Sequence, residues 1–170
     1  MVDAQQAQRV SGVAEHLFEQ VQPRAGREAR RELLWACALH EMGMMVSHHD
    51  HHRHSAYLLA HVDAPGFSQS QQRRVGELVL GQRGGLRKVE ASLAQETFAW
   101  QVLCLRLAII KCHARGKVDA RALSLSRSGT QARLNFRPEW AATHPRTLFQ
   151  LQEEAQAWSR GGVLKLALPG

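Results

Sequence analysis

The sequence has 170 residues, of which 44% are hydrophobic, and it carries 22 Lys and Arg against 15 Asp and Glu for a formal net charge of +7. Its length and apolar content suit one folded domain with at most a small appendage. No apolar stretch approaches the roughly 20 residues of a transmembrane helix, which excludes a membrane-spanning chain. No secretory signal precedes the first predicted helix, so we expect a cytoplasmic protein. The positive charge predicts an anionic partner, although a solvated basic surface would have the same composition.

Helical spacing of apolar residues predicts five consecutive helices in the first 116 residues. Asp3 and Ser68 are candidate N-caps of the first and the fourth. The second begins with charged residues and continues into an apolar run, which predicts a helix buried on nearly all sides. The fifth is again strongly apolar and should cross the core. The predicted ranges are 3–22, 27–46, 52–62, 68–80 and 93–114.

The pattern changes after position 116. Two stretches alternate with period two around a turn at 127–130, which predicts a β-hairpin. Pro138 and Pro145 bracket a helical segment that ends at about Arg160, and a last alternating stretch at 163–168 predicts a strand. The predicted fold class is therefore mainly α, with an all-α domain at 1–116 followed by a small α+β lobe (hairpin, helix and terminal strand) at 117–170.

Cysteines and tryptophans lie mostly inside the apolar helical patterns. An odd number of cysteines without regular spacing predicts reduced, buried thiols. The tryptophans are predicted to be core or interface residues. These residues are Cys37, Cys104 and Cys112, and Trp35, Trp100, Trp140 and Trp158.

The apolar run at 33–46 contains only two ionisable side chains, the adjacent His40 and Glu41. A buried carboxylate and imidazole must be paired or hydrogen-bonded, because an unpaired buried charge is strongly destabilising. Further histidines follow at once, so we expect the partners to be nearby in the sequence. One interpretation is a structural polar cluster of His40, Glu41, His48 and Ser55 that holds the second and third helices together. The alternative is a metal site, with His40, His48 and His52 as the candidate ligands.

An adjacent histidine and acid on a buried helix resembles the metal-dependent HD-type phosphohydrolases, in which the pair binds a divalent metal that activates water. The resemblance also requires a histidine on the first helix and an aspartate on the last core helix. Those positions fall near Gln6 and at Ile109, neither of which ligates a metal, and the acid of the pair is Glu41. The resemblance therefore implies a dismantled HD centre, with no metal and no catalytic residue in this chain.

A more specific resemblance, to the C-terminal, HD-like domain of the exopolyphosphatase/guanosine pentaphosphate phosphohydrolase (Ppx/GppA) family, extends over about residues 8–165. The family pattern is roughly Leu-His-Glu-x-x-Gly, an apolar pair, His, then His-Arg-His-Ser-x-Tyr, and later Gly-Phe before a helix. The family's His-Arg at the end of the fourth helix appears here as Gln82-Arg83, which is a departure. The matching residues are Leu39, His40, Glu41, Gly43, Val46, His48, His52, Arg53, His54, Ser55, Tyr57, Gly66 and Phe67.

This resemblance implies an HD-like helical bundle that belongs to a longer hydrolase. Members of the family release phosphate from inorganic polyphosphate, or the 5′ phosphate from pppGpp, using magnesium in two preceding actin-like domains with glycine-rich phosphate loops. This chain has no such loop, so we expect it to be inactive alone and to need no cofactor of its own. The implied partners are inorganic polyphosphate or pppGpp, the N-terminal actin-like domains of the same protein, and a second copy in a homodimer, with no membrane partner.

The predicted anion-binding surface combines the start of the third helix with the glycine turn after the fourth. If these two helices pack as an antiparallel pair, their cations meet at one end, where backbone amides and guanidinium groups can hold phosphate. A simple loop is the alternative for the glycine turn. Two further functions stay open: an autonomous HD-type metal-dependent phosphohydrolase, and a nucleic-acid-binding domain supported only by charge. The predicted anion-binding residues are His52, Arg53, His54, Arg83, Arg87 and Lys88.

Overall fold

The computed structural model describes residues 4–40, 66–114 and 118–170. The N-terminal helices are α1 (Ala4–Val21), α2 (Arg27–Leu39), α3 (Gln69–Leu80), a 3-10 helix (Leu86–Val89), α4 (Glu90–Leu93) and α5 (Glu96–Cys112). They are followed by β1 (Ser124–Ser128), β2 (Gln131–Asn135), α6 (Pro138–Thr143), α7 (Pro145–Gly161) and β3 (Lys165–Ala167). This confirms the predicted fold class, mainly α with a small lobe that contains the sheet.

Helix α5 runs through the core, as predicted. Most of its residues are buried, and α1, α2 and α3 pack against it. The predicted start at position 93 was wrong, because Gln95 has an extended backbone (φ −85°, ψ 123°) that separates the short α4 from α5. The spacing of apolar residues continues across this break, so periodicity alone does not reveal it.

Helix α2 is buried on one side only, which corrects the prediction of a helix buried on nearly all sides. In the described part of the apolar run, Leu33, Ala36 and Cys37 are buried, whereas Trp35 is 39% exposed and does not belong to the core. The Trp35 ring packs edge-to-face on Phe67, with ring centroids 4.8 Å apart. A helix at the edge of a bundle buries one stripe of side chains, and here the apolar Trp35 shares the outer face with the exposed, charged Arg27 and Arg31.

The cap predicted for α3 is confirmed. The Gln71 backbone N–H donates to Ser68 Oγ (3.1 Å), and the Ser68 backbone N–H donates to Gln71 Oε1 (3.0 Å), so the two residues form a capping box. The cap predicted at Asp3 and the helix predicted at 52–62 lie outside the described residues.

Strands β1 and β2 form the predicted antiparallel hairpin, in which the buried Leu125 lies opposite the buried Leu134. The predicted turn at 127–130 is shorter than expected, because the strands continue to Ser128 and resume at Gln131. Gly129 lies in this turn with a φ of 61°, a left-handed conformation that favours glycine. Strand β3 adds to β2 in parallel, which gives the order β1-β2-β3.

The helical segment predicted between Pro138 and Arg160 is divided into two helices. Both α6 and α7 begin with a proline, at Pro138 and Pro145. Proline lacks a backbone N–H, which is tolerated in the first turn because N–H groups there have no acceptor within the helix. Helix α7 ends at the predicted glycine pair, where Gly162 has a φ of 75°.

The lobe is joined to the bundle by hydrogen bonds and a continuous apolar core. The Leu125 N–H donates to Gln20 Oε1 at 2.7 Å, and the Arg127 guanidinium lies 5.0 Å from the centre of the Trp100 ring. Leu123 belongs to the same buried cluster as the apolar residues of the bundle. The division into units 1–116 and 117–170 stays a prediction.

The three cysteines are buried free thiols, as predicted. Trp100 and Trp158 are buried and Trp140 is partly buried against the core. Within the described ranges, no helix is both long and apolar enough to cross a bilayer.

Candidate functional site

Segments that are distant in the sequence converge on a polar cleft of about 720 Å³ at one end of the bundle. Gln6 comes from the start of α1, His40 follows the end of α2, Gln82 follows the end of α3, and Ile109 lies near the end of α5. Helix α7 closes the cleft from the lobe side and contributes Glu154. The sequence placed Gln6, His40 and Ile109 at the ligand positions of an HD-type centre, and all three do line this cleft.

Gln6 is buried and already engaged in hydrogen bonds. Its Nε2 donates to the Cys112 carbonyl at 2.7 Å, and its Oε1 accepts from Arg9 Nη2 at 2.7 Å and from Arg9 Nε at 3.0 Å. The side chain therefore ties the start of α1 to the end of α5. With Gln6 held in this way and an aliphatic side chain at Ile109, these positions do not fit the metal centre of an HD-type phosphohydrolase.

His40 is buried and connects two helix ends. Its Nδ1 lies 2.6 Å from the Cys37 carbonyl oxygen, and because a carbonyl only accepts, the proton must be on Nδ1. The His40 carbonyl oxygen in turn accepts from Gln82 Nε2 at 3.1 Å. These contacts attach the end of α2 to the turn after α3.

Most of the other predicted site residues lie outside the described residues. This applies to the remaining members of the polar cluster and metal site, and to the half of the anion-binding surface that precedes α3. Within the described ranges, no three His, Cys, Asp or Glu side chains are grouped so that they could hold a metal. The predicted residues outside these ranges are Glu41, His48, His52, Arg53, His54 and Ser55.

A buried ion pair joins α5 to α7, and it was not predicted from the sequence. Arg106 Nε donates to Glu154 Oε2 at 2.6 Å and its Nη2 donates to Glu154 Oε1 at 2.9 Å, while both side chains are 6% exposed. Trp158 Nε1 adds a third hydrogen bond to Glu154 Oε2 at 2.7 Å. The available signal was that Arg106 is the only charged residue between Glu96 and Lys111, so a buried partner was required.

The glycine turn after α3 carries the three described cations of the predicted anion-binding surface. Lys88 Nζ donates to the Arg83 carbonyl at 2.6 Å, so the lysine folds back across the turn. Gly84 has a φ of 75°, and a Cβ there would lie only 3.2 Å from Lys88 Nζ. Arg83 is exposed and lines the cleft, whereas Arg87 is exposed on the adjoining 3-10 helix and does not line it. The structure thus brings the Lys88 ammonium to the main chain of Arg83, and Arg87 precedes Lys88 on the 3-10 helix.

Two more basic side chains line the cleft and were not singled out from the sequence. Arg160, in the last turn of α7, is exposed. His113, just after α5, is partly buried, and this burial together with the nearby Arg146 holds its pKa below the usual 6.5. His113 is therefore neutral at pH 7, and Arg83 and Arg160 supply the positive charge at the solvent edge.

Comparisons with known proteins agree with this architecture. The family model described as Ppx/GppA phosphatase, domain III, matches residues 1–155. A guanosine-5'-triphosphate,3'-diphosphate pyrophosphatase from Pseudoalteromonas translucida (strain TAC 125) is 30% identical over 171 residues, which cover 95% of this chain and 34% of the relative. The chain thus spans about a third of the length of that curated relative.

Proposed function

Because this chain belongs to the Ppx/GppA phosphatase family, we propose that it is the anion-binding C-terminal part of a longer phosphoanhydride hydrolase. Its anion is inorganic polyphosphate or pppGpp, and the relative from Pseudoalteromonas is named for an activity on a guanosine phosphate. In this proposal the chemistry takes place in preceding actin-like domains that bind magnesium, and this chain holds part of the substrate.

The observation that carries the proposal is the arrangement of cations around the glycine turn. Lys88 Nζ donates to the Arg83 main-chain carbonyl on this turn, and the Arg83 side chain is exposed and lines the open cleft. Arg87 follows on the 3-10 helix and is exposed. Several cations on one turn can bind neighbouring phosphates of a polyanion at once, and each contact is stronger than a neutral hydrogen bond.

Two features support the view that this chain does not catalyse the reaction by itself. The HD ligand positions are occupied by Gln6, whose amide is held by Arg9 and the Cys112 carbonyl, and by the aliphatic Ile109. The chain also corresponds to only 34% of the length of its curated relative.

We also propose that the domain packs against other parts of the longer protein and against a second copy in a homodimer, in the cytoplasm. In this proposal the large apolar side chains that are exposed in the described residues, Trp35 at 39% and Phe149 at 59%, lie at such interfaces.

The test is a titration of the purified chain with long-chain polyphosphate at several salt concentrations. We expect binding whose logarithm falls linearly with the logarithm of the salt concentration, because a polyanion releases condensed counterions when cations neutralise it. Binding that is absent at low salt, or that does not depend on salt, would contradict the proposal. Preference for nucleic acid over polyphosphate under the same conditions would favour the nucleic-acid-binding alternative.

A further inference from the structure

A shallow groove of about 430 Å³ lies along the outer face of α2. Its lining residues recur at the spacing i, i+3, i+4, i+7, i+8 and i+11, so they form one continuous stripe along the helix. The opposite stripe, which includes Leu33, Ala36 and Cys37, is buried in the core. Because helices pack against each other through stripes of this spacing, α2 has a second face that suits a helix. This α2 groove is lined by Arg27, Arg30, Arg31, Leu34, Trp35 and Ala38.

The floor of the α2 groove is apolar and its aromatic side chain is held in place. Trp35 is 39% exposed, and its ring packs edge-to-face on Phe67. The Arg31 guanidinium lies 5.5 Å from the centre of the Phe67 ring on the same side of the helix. Leu34 and Ala38 are partly buried and complete the floor. An apolar side chain that enters this groove therefore removes exposed apolar surface from water against a ring that is already ordered by packing.

The rim of the α2 groove is positively charged. Both carboxylates of α2 are directed to α3, where Glu28 accepts from a glutamine amide at 2.9 Å and Glu32 accepts from an arginine at 2.8 Å. Arg30 is paired with a glutamate of α1 at 3.1 Å, whereas Arg27 and Arg31 are exposed on the outer face. A partner helix with carboxylates beside its apolar stripe is complementary to this rim, and a helix with lysines in the same places is repelled by it.

We propose that the α2 groove binds an acidic amphipathic helix from a part of the longer protein that is not contained in this chain. The curated relative is matched over only 34% of its length, so the remainder of such a protein can supply the helix. The inference rests on the proposed place of this chain in a longer hydrolase, and it adds the surface and the chemistry of the contact. A concave apolar floor suits a protein side chain, since a polyphosphate has no apolar part to place there.

The experiment measures the binding of two synthetic helices to the purified chain. Both are about five turns long with the same leucine stripe, and they differ only in the flanking residues, glutamate in one and lysine in the other. We expect the glutamate helix to bind at least about tenfold more tightly at low salt. Trp35→Ala should weaken that binding by about tenfold, because a central tryptophan commonly contributes much of the energy of an interface. The matched control is Phe149→Ala, which removes the other large exposed aromatic side chain and should behave like the parent.

A second variant tests the charge of the rim without changing its packing. Arg27 is exposed in the first turn of α2, so Arg27→Glu should weaken binding of the glutamate helix by several-fold and strengthen binding of the lysine helix. Arg121→Glu, at an exposed arginine of the lobe, makes the same change of net charge and should leave both affinities close to those of the parent. Circular dichroism and thermal midpoints establish that all variants are folded.

The outcomes separate this inference from the proposed anion binding. No binding of either helix, equal binding of both, or binding that neither Trp35→Ala nor Arg27→Glu changes would overturn the assignment of the α2 groove. Self-association of the chain that is abolished by Trp35→Ala in sedimentation experiments would also overturn it, because a second copy would then occupy the groove. Trp35→Ala should keep the polyphosphate affinity of the parent, since the side chain is uncharged. Failure of the parent to bind polyphosphate would contradict the anion proposal and leave the α2 groove unaffected.

Discussion

Arg106 and Glu154 form a doubly hydrogen-bonded ion pair buried between α5 and α7, with Nε–Oε2 and Nη2–Oε1 distances of 2.6 and 2.9 Å. The remaining guanidinium nitrogen, Nη1, donates to the Gly81 carbonyl at 2.9 Å. One arginine therefore holds the long helix of the lobe and the start of the cationic glycine turn in a fixed relation to the core. The shape of the cleft depends on this contact.

The first prediction is that Glu154→Ala destabilises the fold by about 3–5 kcal/mol, because it leaves Arg106 buried without a counter-charge and also removes the acceptor of Trp158 Nε1. Chemical denaturation measures the free energy of unfolding. The neighbouring Glu153→Ala, which changes an exposed carboxylate, should cost less than about 0.5 kcal/mol. The double variant Arg106→Met/Glu154→Leu should recover much of the free energy of unfolding that Glu154→Ala loses. Equal effects of Glu154→Ala and Glu153→Ala would contradict the burial of the pair.

The second prediction concerns His113, whose pKa is lowered first by burial and then by Arg146. Since the folded-state pKa lies below the unfolded value of 6.5, the unfolded chain binds the proton more readily. The contribution of His113 to stability is therefore complete above about pH 6.5 and is lost as the pH falls through the folded-state pKa. The free energy of unfolding, measured between pH 5 and 8, should fall less steeply with decreasing pH in His113→Gln than in the parent. Parallel curves for the variant and the parent would contradict the prediction.

The third prediction is that all three cysteines are unreactive in the native protein. Burial raises the pKa of Cys37 to about 12 and that of Cys112 to about 11, and it also raises that of Cys104. Because only the thiolate attacks a disulfide reagent, native protein at pH 8 should react negligibly with dithionitrobenzoate, whereas denatured protein should release the colour of three thiols. Rapid reaction of one thiol would show that its part of the core opens.

Local interactions made part of this fold predictable from the sequence. The cap of α3 could be recognised because Ser68 and Gln71 are close in the chain and their types suit a capping box. The period-two pattern predicted the hairpin, and the strongly apolar composition of 93–114 predicted α5 as the central helix. The same method overstated the burial of α2, because an apolar residue such as Trp35 can lie on an outer face that the sequence does not identify.

The candidate site was predictable only in part, because its contacts are long-range. Resemblance placed Gln6, His40 and Ile109 at corresponding site positions, and the cleft does bring them together. The contribution of α7 was missed, since Arg106 and Glu154 are 48 residues apart and nothing local links them. An isolated arginine in a buried helix shows that a partner exists, but only the packing of α7 identifies it.

The fourth prediction is that the isolated chain releases no orthophosphate from polyphosphate or pppGpp in the presence of magnesium. The ligand positions of an HD-type centre hold Gln6 and Ile109, and the curated relative is about three times longer than this chain. Colorimetric phosphate assays at high protein concentration provide the measurement, with a full-length family member as the positive control. Release at a rate comparable to that control would show instead an autonomous phosphohydrolase.

The last prediction links the cationic turn to polyanion binding. Replacing Arg83, Arg87 and Lys88 together with alanine removes the cations of the turn and should leave the fold intact, because the two arginines are exposed and the bond from Lys88 Nζ to the Arg83 carbonyl is also exposed. Each lost phosphate contact should reduce the slope of log affinity against log salt by about 0.7, so the slope should become shallower by about two.

The matched control is the triple alanine variant of Arg121, Arg133 and Arg137, three exposed residues of the lobe, which removes the same charge elsewhere. If polyphosphate binds at the turn, only the first variant loses affinity and slope. Equal losses in both variants would mean that binding follows net charge, and no loss in either would place the anion elsewhere.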